Sequence, residues 1–320
     1  TTMNYTTGLY SVIFRNNGTM IHNSGTLILN TNTDAVYGGG AGTGGPWNVI
    51  ATERGAGTYT YRVYATPIIE NDLTISGNVI YNNNLAGGTN HTVSGNVLVT
   101  HTGSYANTGA TANTQNFGSL IVNSYSTFIA SPSGQTNING PHSGGYLWRS
   151  NAGTFTHNNG LVYIITGAYN GSDVFPAPTQ PFYNLTYSGS GTVESWSSII
   201  ANNFDVGTDV IFRPIIPTEA FTVSGTATMN GFFGKDGYPQ TVDNTFGALD
   251  IKSGGTYYAT SGTTTVGSNA IPAIFDNNGT FTHNDGTVNL EYGAGDTVVT
   301  GSSRTTFNKL NTGWGYMKTG

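Results

Sequence analysis

Hydrophobic and polar residues alternate along short stretches of the chain, as in FGSLIV at 117–122 and FYNLTY at 182–187. A period of two puts successive side chains on opposite faces, so each stretch is predicted to form a half-buried β-strand. Gly and Asn, which favour tight turns, separate these stretches. An aromatic-x-x-aliphatic pattern recurs in them, and we expect it to pack in the core. Its members are Trp47/Ile50, Phe117/Leu120, Phe182/Leu185, Phe246/Leu249 and Phe307/Leu310.

The sequence also matches itself at long range. The motif N-x-G-T-x-x-H-N-x-G occurs three times and brings His22, His157 and His283 into register, 135 and 126 residues apart. Separately, IIENDLTISGNVIY at 68–81 aligns without gaps on IIANNFDVGTDVIF at 199–212, an offset of 131. Independent matches at nearly one offset indicate a tandem repeat of about 130 residues.

Two all-β architectures can carry such a repeat. Very short strands with dense turns favour a β-solenoid, in which the chain coils around one long core. Asn-Gly pairs would instead favour hairpins, and therefore a string of β-sandwiches. Because the repeat length drifts, as inserted loops on a coil would allow, we favour one continuous solenoid. Repeat one then covers residues 1–135, repeat two 136–265 and a partial third repeat 266–320.

Composition narrows the class of protein. Only 8% of residues are charged, against about 25% in ordinary domains, while 46 of the 320 residues are Gly. The ten Lys and Arg residues form no basic stripe, which argues against a nucleic-acid partner. There is no cysteine for a disulfide or thiolate metal site, and no apolar run long enough for a membrane span. We expect an extracellular, cell-surface or virion setting.

The strings NNGTFTHNDGTVNL, TTFNKL and NDLTISGNVIY resemble the Gly/Thr/Asn-rich repeats of large bacterial surface adhesins. They also look like repeats of phage tail fibres and other virion appendages. The resemblance extends over nearly the whole chain. It implies a right-handed parallel β-helix and a structural or adhesive role outside the cell, and it carries over no catalytic residue.

Candidate metal ligands are weak. At about 20 residues per coil, one repeat makes about six coils, so the recurring histidines would lie roughly 29 Å apart. Zinc ligands lie ~2 Å from their ion. We expect each histidine to end a strand and bond a turn carbonyl. Asp205 and Asp209 resemble a calcium pair, but repeat one places Thr74 and Asn78 there. We predict no metal and no cofactor.

Acidic residues offer one candidate for catalysis. Glycoside hydrolysis requires two carboxyl groups about 5 to 9.5 Å apart. Glu53, Glu70 and Asp72 form the densest acidic group, and repeat two carries Ala201 and Asn203 in place of the last two. This asymmetry fits one grafted active site or drift on a solvated face, and we favour drift. The chain is predicted not to be an enzyme.

Aromatic residues are the candidates for binding. In TYTYRVY at 58–64, alternation places Tyr59 and Tyr61 on one face and Tyr64 on the other, so we expect at least one exposed tyrosine. Exposed rings stack on sugars or on neighbouring subunits. The predicted binding residues are Tyr59, Tyr61, Tyr64, Trp148, Trp196 and Trp314.

These features favour an extracellular structural or adhesive fibre that contacts glycans or neighbouring subunits. Because the third repeat is partial, we expect either self-association end to end or a longer polypeptide. One alternative is a polysaccharide depolymerase of the tailspike type. Another is a self-assembling sheath or filament subunit without a ligand.

Overall fold

The computed structural model describes residues 2–5, 11–16, 19–32, 34–39, 45–53, 56–64, 68–83, 90–109, 112–140, 146–150, 152–167, 171–174, 180–234, 240–268, 273–291, 297–313 and 317–319. Within these ranges the regular structure is β-strand, with no helix.

The strands are short and numerous. The first sixteen are β1 Thr2–Tyr5, β2 Ser11–Asn16, β3 Thr26–Thr31, β4 Ala35–Gly39, β5 Asn48–Glu53, β6 Tyr59–Tyr64, β7 Ile68–Ile69, β8 Leu73–Ser76, β9 Val79–Asn83, β10 Asn90–Thr100, β11 Ser104–Ala106, β12 Thr114–Val122, β13 Thr127–Ile129, β14 Gln135–Ile138, β15 Tyr146–Ser150 and β16 Thr154–Thr156. The remainder are β17 Leu161–Thr166, β18 Gly171–Val174, β19 Phe182–Gly189, β20 Gly191–Ser195, β21 Ile199–Val206, β22 Val210–Pro214, β23 Phe221–Met229, β24 Phe232–Phe233, β25 Asn244–Ile251, β26 Thr256–Tyr258, β27 Thr263–Val266, β28 Ile274–Asn277, β29 Thr280–Thr282, β30 Thr287–Leu290, β31 Thr297–Thr300, β32 Lys309–Thr312 and β33 Met317–Thr319.

Strand pairing is parallel between successive turns of the chain. Phe182 pairs with Ala201 and Leu120 with Trp148, so one turn takes between 19 and 28 residues. Hairpins would pair neighbouring strands antiparallel, whereas a coil pairs each strand with its counterpart one turn later. This topology confirms the β-solenoid over the β-sandwich alternative.

The solenoid forms two compact units, unit 1 over Thr1–Tyr163 and unit 2 over Ile164–Gly320. The predicted repeat boundaries, after residues 135 and 265, depend on where each repeat is taken to begin, and they stay a prediction. The repeat itself is visible in the structure, since the same turns and the same core positions recur in both units.

An aromatic ladder runs through part of the core of each unit. Its members lie on consecutive turns at paired positions, and neighbouring ring centroids are 5.1 to 6.1 Å apart in unit 1 and 5.3 to 6.1 Å apart in unit 2. The ladders are Tyr81–Tyr105–Phe128–Phe155 in unit 1 and Phe212–Phe233–Tyr257–Phe281 in unit 2. Such pairs contribute about 0.5–1.5 kcal/mol beyond the burial of their area.

One part of the unit 1 core is polar. His91 is fully buried and its Nδ1 lies 2.9 Å from the Tyr105 hydroxyl, while the Tyr81 hydroxyl lies 3.5 Å from its Nε2. Burial lowers the pKa of His91 to about 3, so the ring is neutral at pH 7. The equivalent places in unit 2 hold three packed phenylalanines. They are Phe212, Phe221 and Phe233, with centroids 5.0 to 5.7 Å apart.

A bulge bends the long strands at one corner of the coil. In β10 the register to β12 shifts between Val93 and Asn96, and in β23 the register to β25 shifts between Val223 and Thr226. Gly95 lies within the first bulge, and a Cβ there would come within 2.7 Å of the Asn71 carbonyl oxygen. The close approach of successive turns therefore requires glycine at this corner.

The predicted core pattern is correct in the middle of the chain. The pairs of β12, β19 and β25 are buried, namely Phe117/Leu120, Phe182/Leu185 and Phe246/Leu249. Trp47 and Ile50 are only half-buried, because Val49 and Ala51 take the inward positions of β5. Phe307 and Leu310 are also half-buried.

The buried histidine makes unit 1 sensitive to acid. Its folded pKa is below the unfolded value of 6.5, so the unfolded chain binds the extra proton between about pH 6.5 and pH 3. The stability contributed by the neutral histidine is fully present above pH 6.5. The free energy of unfolding then falls by about 1.4 kcal/mol per pH unit as the pH falls through that window.

We predict that replacing Tyr81, His91 and Tyr105 together by Phe, as in unit 2, preserves the fold and removes this dependence of the free energy of unfolding on pH. Urea unfolding of the unaltered chain and of the triple variant at pH 7 and pH 4.5 measures the change in the free energy of unfolding between the two pH values. An equal change in both proteins would contradict the prediction.

Candidate functional site

The three repeated histidines shape three copies of one turn. In each copy, the ring Nδ1 accepts the backbone N–H two residues later, and the backbone carbonyl accepts the N–H three residues later. The Nδ1 bonds join His22 to Ser24 at 2.9 Å, His157 to Asn159 at 2.8 Å and His283 to Asp285 at 3.0 Å. The carbonyl bonds join His22 to Gly25, His157 to Gly160 and His283 to Gly286.

The residues between each histidine and glycine have positive φ, from 44° to 59°. Asn tolerates this left-handed backbone better than most residues, which explains the His-Asn order of the motif. Its side chain also bonds the preceding turn, since Asn158 Nδ2 donates to the Ala130 carbonyl at 3.0 Å and Asn284 Nδ2 to the Ala259 carbonyl at 2.7 Å.

The histidine motif is therefore structural. The prediction that each ring bonds a turn carbonyl is wrong, because the partner is a turn N–H and the ring is the acceptor. Burial lowers the pKa of His157, which favours the neutral ring that this bond requires.

Asp72 belongs to a polar ladder that supports the bulge of unit 1. Its Oδ1 accepts the backbone N–H of Asn96 at 2.7 Å and the Asn96 amide at 2.9 Å. Ser119 continues the ladder by donating to Asn96 Oδ1 at 2.7 Å. In unit 2, Asn203 replaces Asp72, and its Oδ1 accepts the backbone N–H of Thr226 at 2.9 Å. An amide oxygen performs the same task, so this role does not require a carboxylate.

The structure separates Glu53 from Asp72. Asp72 lies beside Asn48 at the start of β5, since the Asp72 N–H donates to Asn48 Oδ1. The Glu53 carboxylate instead lies against Gly77, beyond the end of β8. Five residues along a strand correspond to about 16 Å, well beyond the 5 to 9.5 Å of a glycosidase pair. Glu70 precedes β8, and its N–H donates to the Pro46 carbonyl. Over the described ranges, no group of three His, Asp or Glu side chains is placed to hold a metal ion.

The predicted aromatic binding residues differ in how far their side chains are exposed. Tyr61 and Trp148 are fully buried, which corrects the prediction for these two, because both occupy inward positions of their strands. Tyr59 is half-buried. Trp196, which follows β20, is 44% exposed and remains a candidate. Trp314 and the Tyr64 side chain lie outside the described residues.

An open groove of about 550 Å³ crosses three successive turns of unit 2. Its floor contains Ile211 and Phe232, two outward residues that pair between β22 and β24. Its polar lining residues are Thr208, Asp209, Asn230, Ser253 and Thr256. Asp209 is exposed, with φ of 64° in the turn before β22. Sequence reasoning singled out Asp209 only as a weak calcium ligand and missed Phe232.

Asn230, in the lining of this groove, is held in place by a hydrogen bond to the preceding turn. Its Nδ2 donates to Asp205 Oδ1 at 2.8 Å. Burial raises the pKa of Asp205, and the hydrogen bond from Asn230 partly offsets that effect. The two aspartates of the supposed calcium pair therefore have different environments, since Asp205 accepts this bond while Asp209 is exposed.

No known family model, curated protein or solved structure matches this chain. Among the described residues there is no helix long and apolar enough to cross a membrane.

The polar ladder at the bulge of unit 1 gives Asp72 a structural role as a hydrogen-bond acceptor, which can be tested separately from catalysis. We predict that Asp72→Ala lowers the free energy of unfolding by about 1–3 kcal/mol, because two donors of Asn96 lose their acceptor. Asp72→Asn, which copies Asn203, should cost much less. Urea denaturation of both variants checks this, with Glu70→Ala as a control that copies Ala201. Equal losses for Asp72→Ala and Asp72→Asn would mean that the charge, rather than the acceptor, matters.

Proposed function

We propose that this chain is part of an extracellular structural and adhesive fibre whose solenoid surface contacts glycans. The observation that carries the proposal is the aromatic ladder of each unit, in which four successive turns each contribute a ring at a paired position. Stacked turns that bury a continuous core form a scaffold whose stability is a sum over neighbouring turns. Such a scaffold is suited to bearing load and displaying surface residues at fixed spacing.

The surface composition supports the extracellular part of the proposal. Outward strand positions are mostly Thr, Ser and Asn, as at the exposed and half-buried positions of β10, β23 and β27. These side chains offer hydroxyl and amide groups for sugars without strong charge. A low density of charge also limits the salt dependence that electrostatic binding would show.

The adhesive part rests on exposed aromatic side chains. Trp196 is 44% exposed, and the half-buried Ile215 lies on the next turn, where its N–H donates to the Ser195 carbonyl. An indole ring offers an apolar face and one N–H donor, the combination that suits a sugar ring.

Binding to immobilised polysaccharides tests the adhesive role. We expect the full chain to bind at least one neutral polysaccharide, and Trp196→Ala to weaken that binding about three- to tenfold if Trp196 stacks on a sugar. Trp196 is 44% exposed and lies just after β20, so the variant should fold normally.

Other outcomes separate the alternatives. Shortening of the polysaccharide on incubation would identify a depolymerase. Ordered polymers in electron micrographs without saturable binding to any polysaccharide would favour a sheath or filament subunit and contradict the adhesive proposal.

A further inference from the structure

Phe232 lines the unit 2 groove and packs against a second aromatic residue, Tyr258, beside it. β24 places Phe233 in the core and leaves Phe232 half-exposed on the outer face. The Phe232 ring lies 4.9 Å from that of Tyr258, with 38° between the planes. Gly234 has φ of 111°, and a Cβ there would lie 2.6 Å from Tyr258 Cβ, so the glycine makes room for the tyrosine. The result is an apolar platform beside the polar residues of the groove lining.

The polar groups around this platform are hydroxyls, an amide and one carboxylate. Asp209 is the exposed carboxylate of the groove lining. Lys252, on the neighbouring turn, forms an ion pair with Asp250 at 2.6 Å, so the Asp250 carboxylate offsets its positive charge. The groove therefore has negative character and favours uncharged hydroxyl donors over anionic ligands, since a carboxylate accepts strong hydrogen bonds.

These features are specific to unit 2. The matching positions of unit 1 hold Asn78 for Asp209, Ser104 for Phe232 and Ile129 for Tyr258, as strand pairing and the repeat require. The solenoid therefore folds without the aromatic platform and without the carboxylate. Scaffold stability does not explain why unit 2 has all three residues together.

We propose that this groove binds a short stretch of neutral oligosaccharide, with a sugar ring stacked on Phe232 and sugar hydroxyls bonded to Asp209 and Asn230. The proposal rests on the adhesive function above and locates a site for it. Aromatic faces are electron-rich and attract the C–H groups of a sugar ring, while the rim groups orient its hydroxyls.

The size of the groove favours an oligosaccharide over a protein partner. Small-ligand sites have volumes of about 300–1,000 Å³, and this groove has about 550 Å³. A stable protein interface buries about 800 Å² on each partner around an apolar centre that excludes charge. The exposed carboxylate of Asp209 at the groove wall does not suit such a centre.

The test exchanges unit 2 residues for those of unit 1. Phe232→Ser and Asp209→Asn copy Ser104 and Asn78, so each should fold, and far-UV circular dichroism with thermal melting checks this. Binding of the full chain to a panel of neutral and uronic-acid polysaccharides is then measured. We expect each variant to bind the preferred neutral polysaccharide at least about tenfold more weakly. Ser104→Ala in unit 1 is the matched control and should bind as the unaltered chain does.

Four results would overturn the proposal, and only the last of them would also contradict the adhesive function. Unchanged binding in both groove variants would reject this site and leave the adhesive function in place. A preference for uronic-acid polysaccharides, or saturable binding of a protein partner that Phe232→Ser abolishes, would reject the neutral oligosaccharide as ligand. No binding to any polysaccharide by the unaltered chain would reject both the site and the adhesive function.

Discussion

Parallel stacking in register requires each inward side chain to pack on the one that precedes it by a turn. A residue that suits one turn must therefore suit its neighbours, and ladders of like side chains are the result. The rings of Tyr105 and Phe128 form such a ladder in unit 1, and those of Phe233 and Tyr257 in unit 2. The same constraint acts at corners, where Gly95 is needed because another turn passes too close for a Cβ. Side chains at bends, such as Asp72, complete the backbone hydrogen bonding that the bulge interrupts.

This constraint explains which features the sequence could predict. Alternation and a long repeat are direct consequences of stacking, so the all-β solenoid and the inward Phe117 and Leu249 follow from the pattern. The histidine motif was identifiable as a turn because His157 and His283 share the same polar neighbours. Its bonding was not predictable, since a ring nitrogen can donate or accept and only the geometry shows that Nδ1 accepts here.

Side-chain exposure was harder to predict. Alternation assigns residues to two faces without stating which one points inward, so Tyr61 seemed able to reach a ligand although it is buried. Trp148 was misjudged for the same reason, because its strand pairs with Leu120 of the core. The groove of unit 2 escaped sequence reasoning entirely. Asp209 and Phe232 are 23 positions apart, and only the coil places them on neighbouring turns.

The two units use one scaffold in different ways. Unit 1 has a polar core around His91, whereas unit 2 has phenylalanines there and places its distinctive residues, such as Phe232, on the outside. A repeat architecture permits this because each turn depends mainly on its neighbours. Surface positions can then change individually without cost to the core.

The register of stacking can be measured with a single disulfide, since the chain has no cysteine of its own. Thr222 and Thr245 are exposed and paired on neighbouring strands. Their Cα atoms should lie about 4.8 Å apart, within the range of a disulfide. The account predicts that T222C/T245C forms an intramolecular bond under mild oxidation and that T222C/D243C, displaced by two residues, does not. Equal crosslinking of both pairs, or crosslinking of the displaced pair alone, would contradict it.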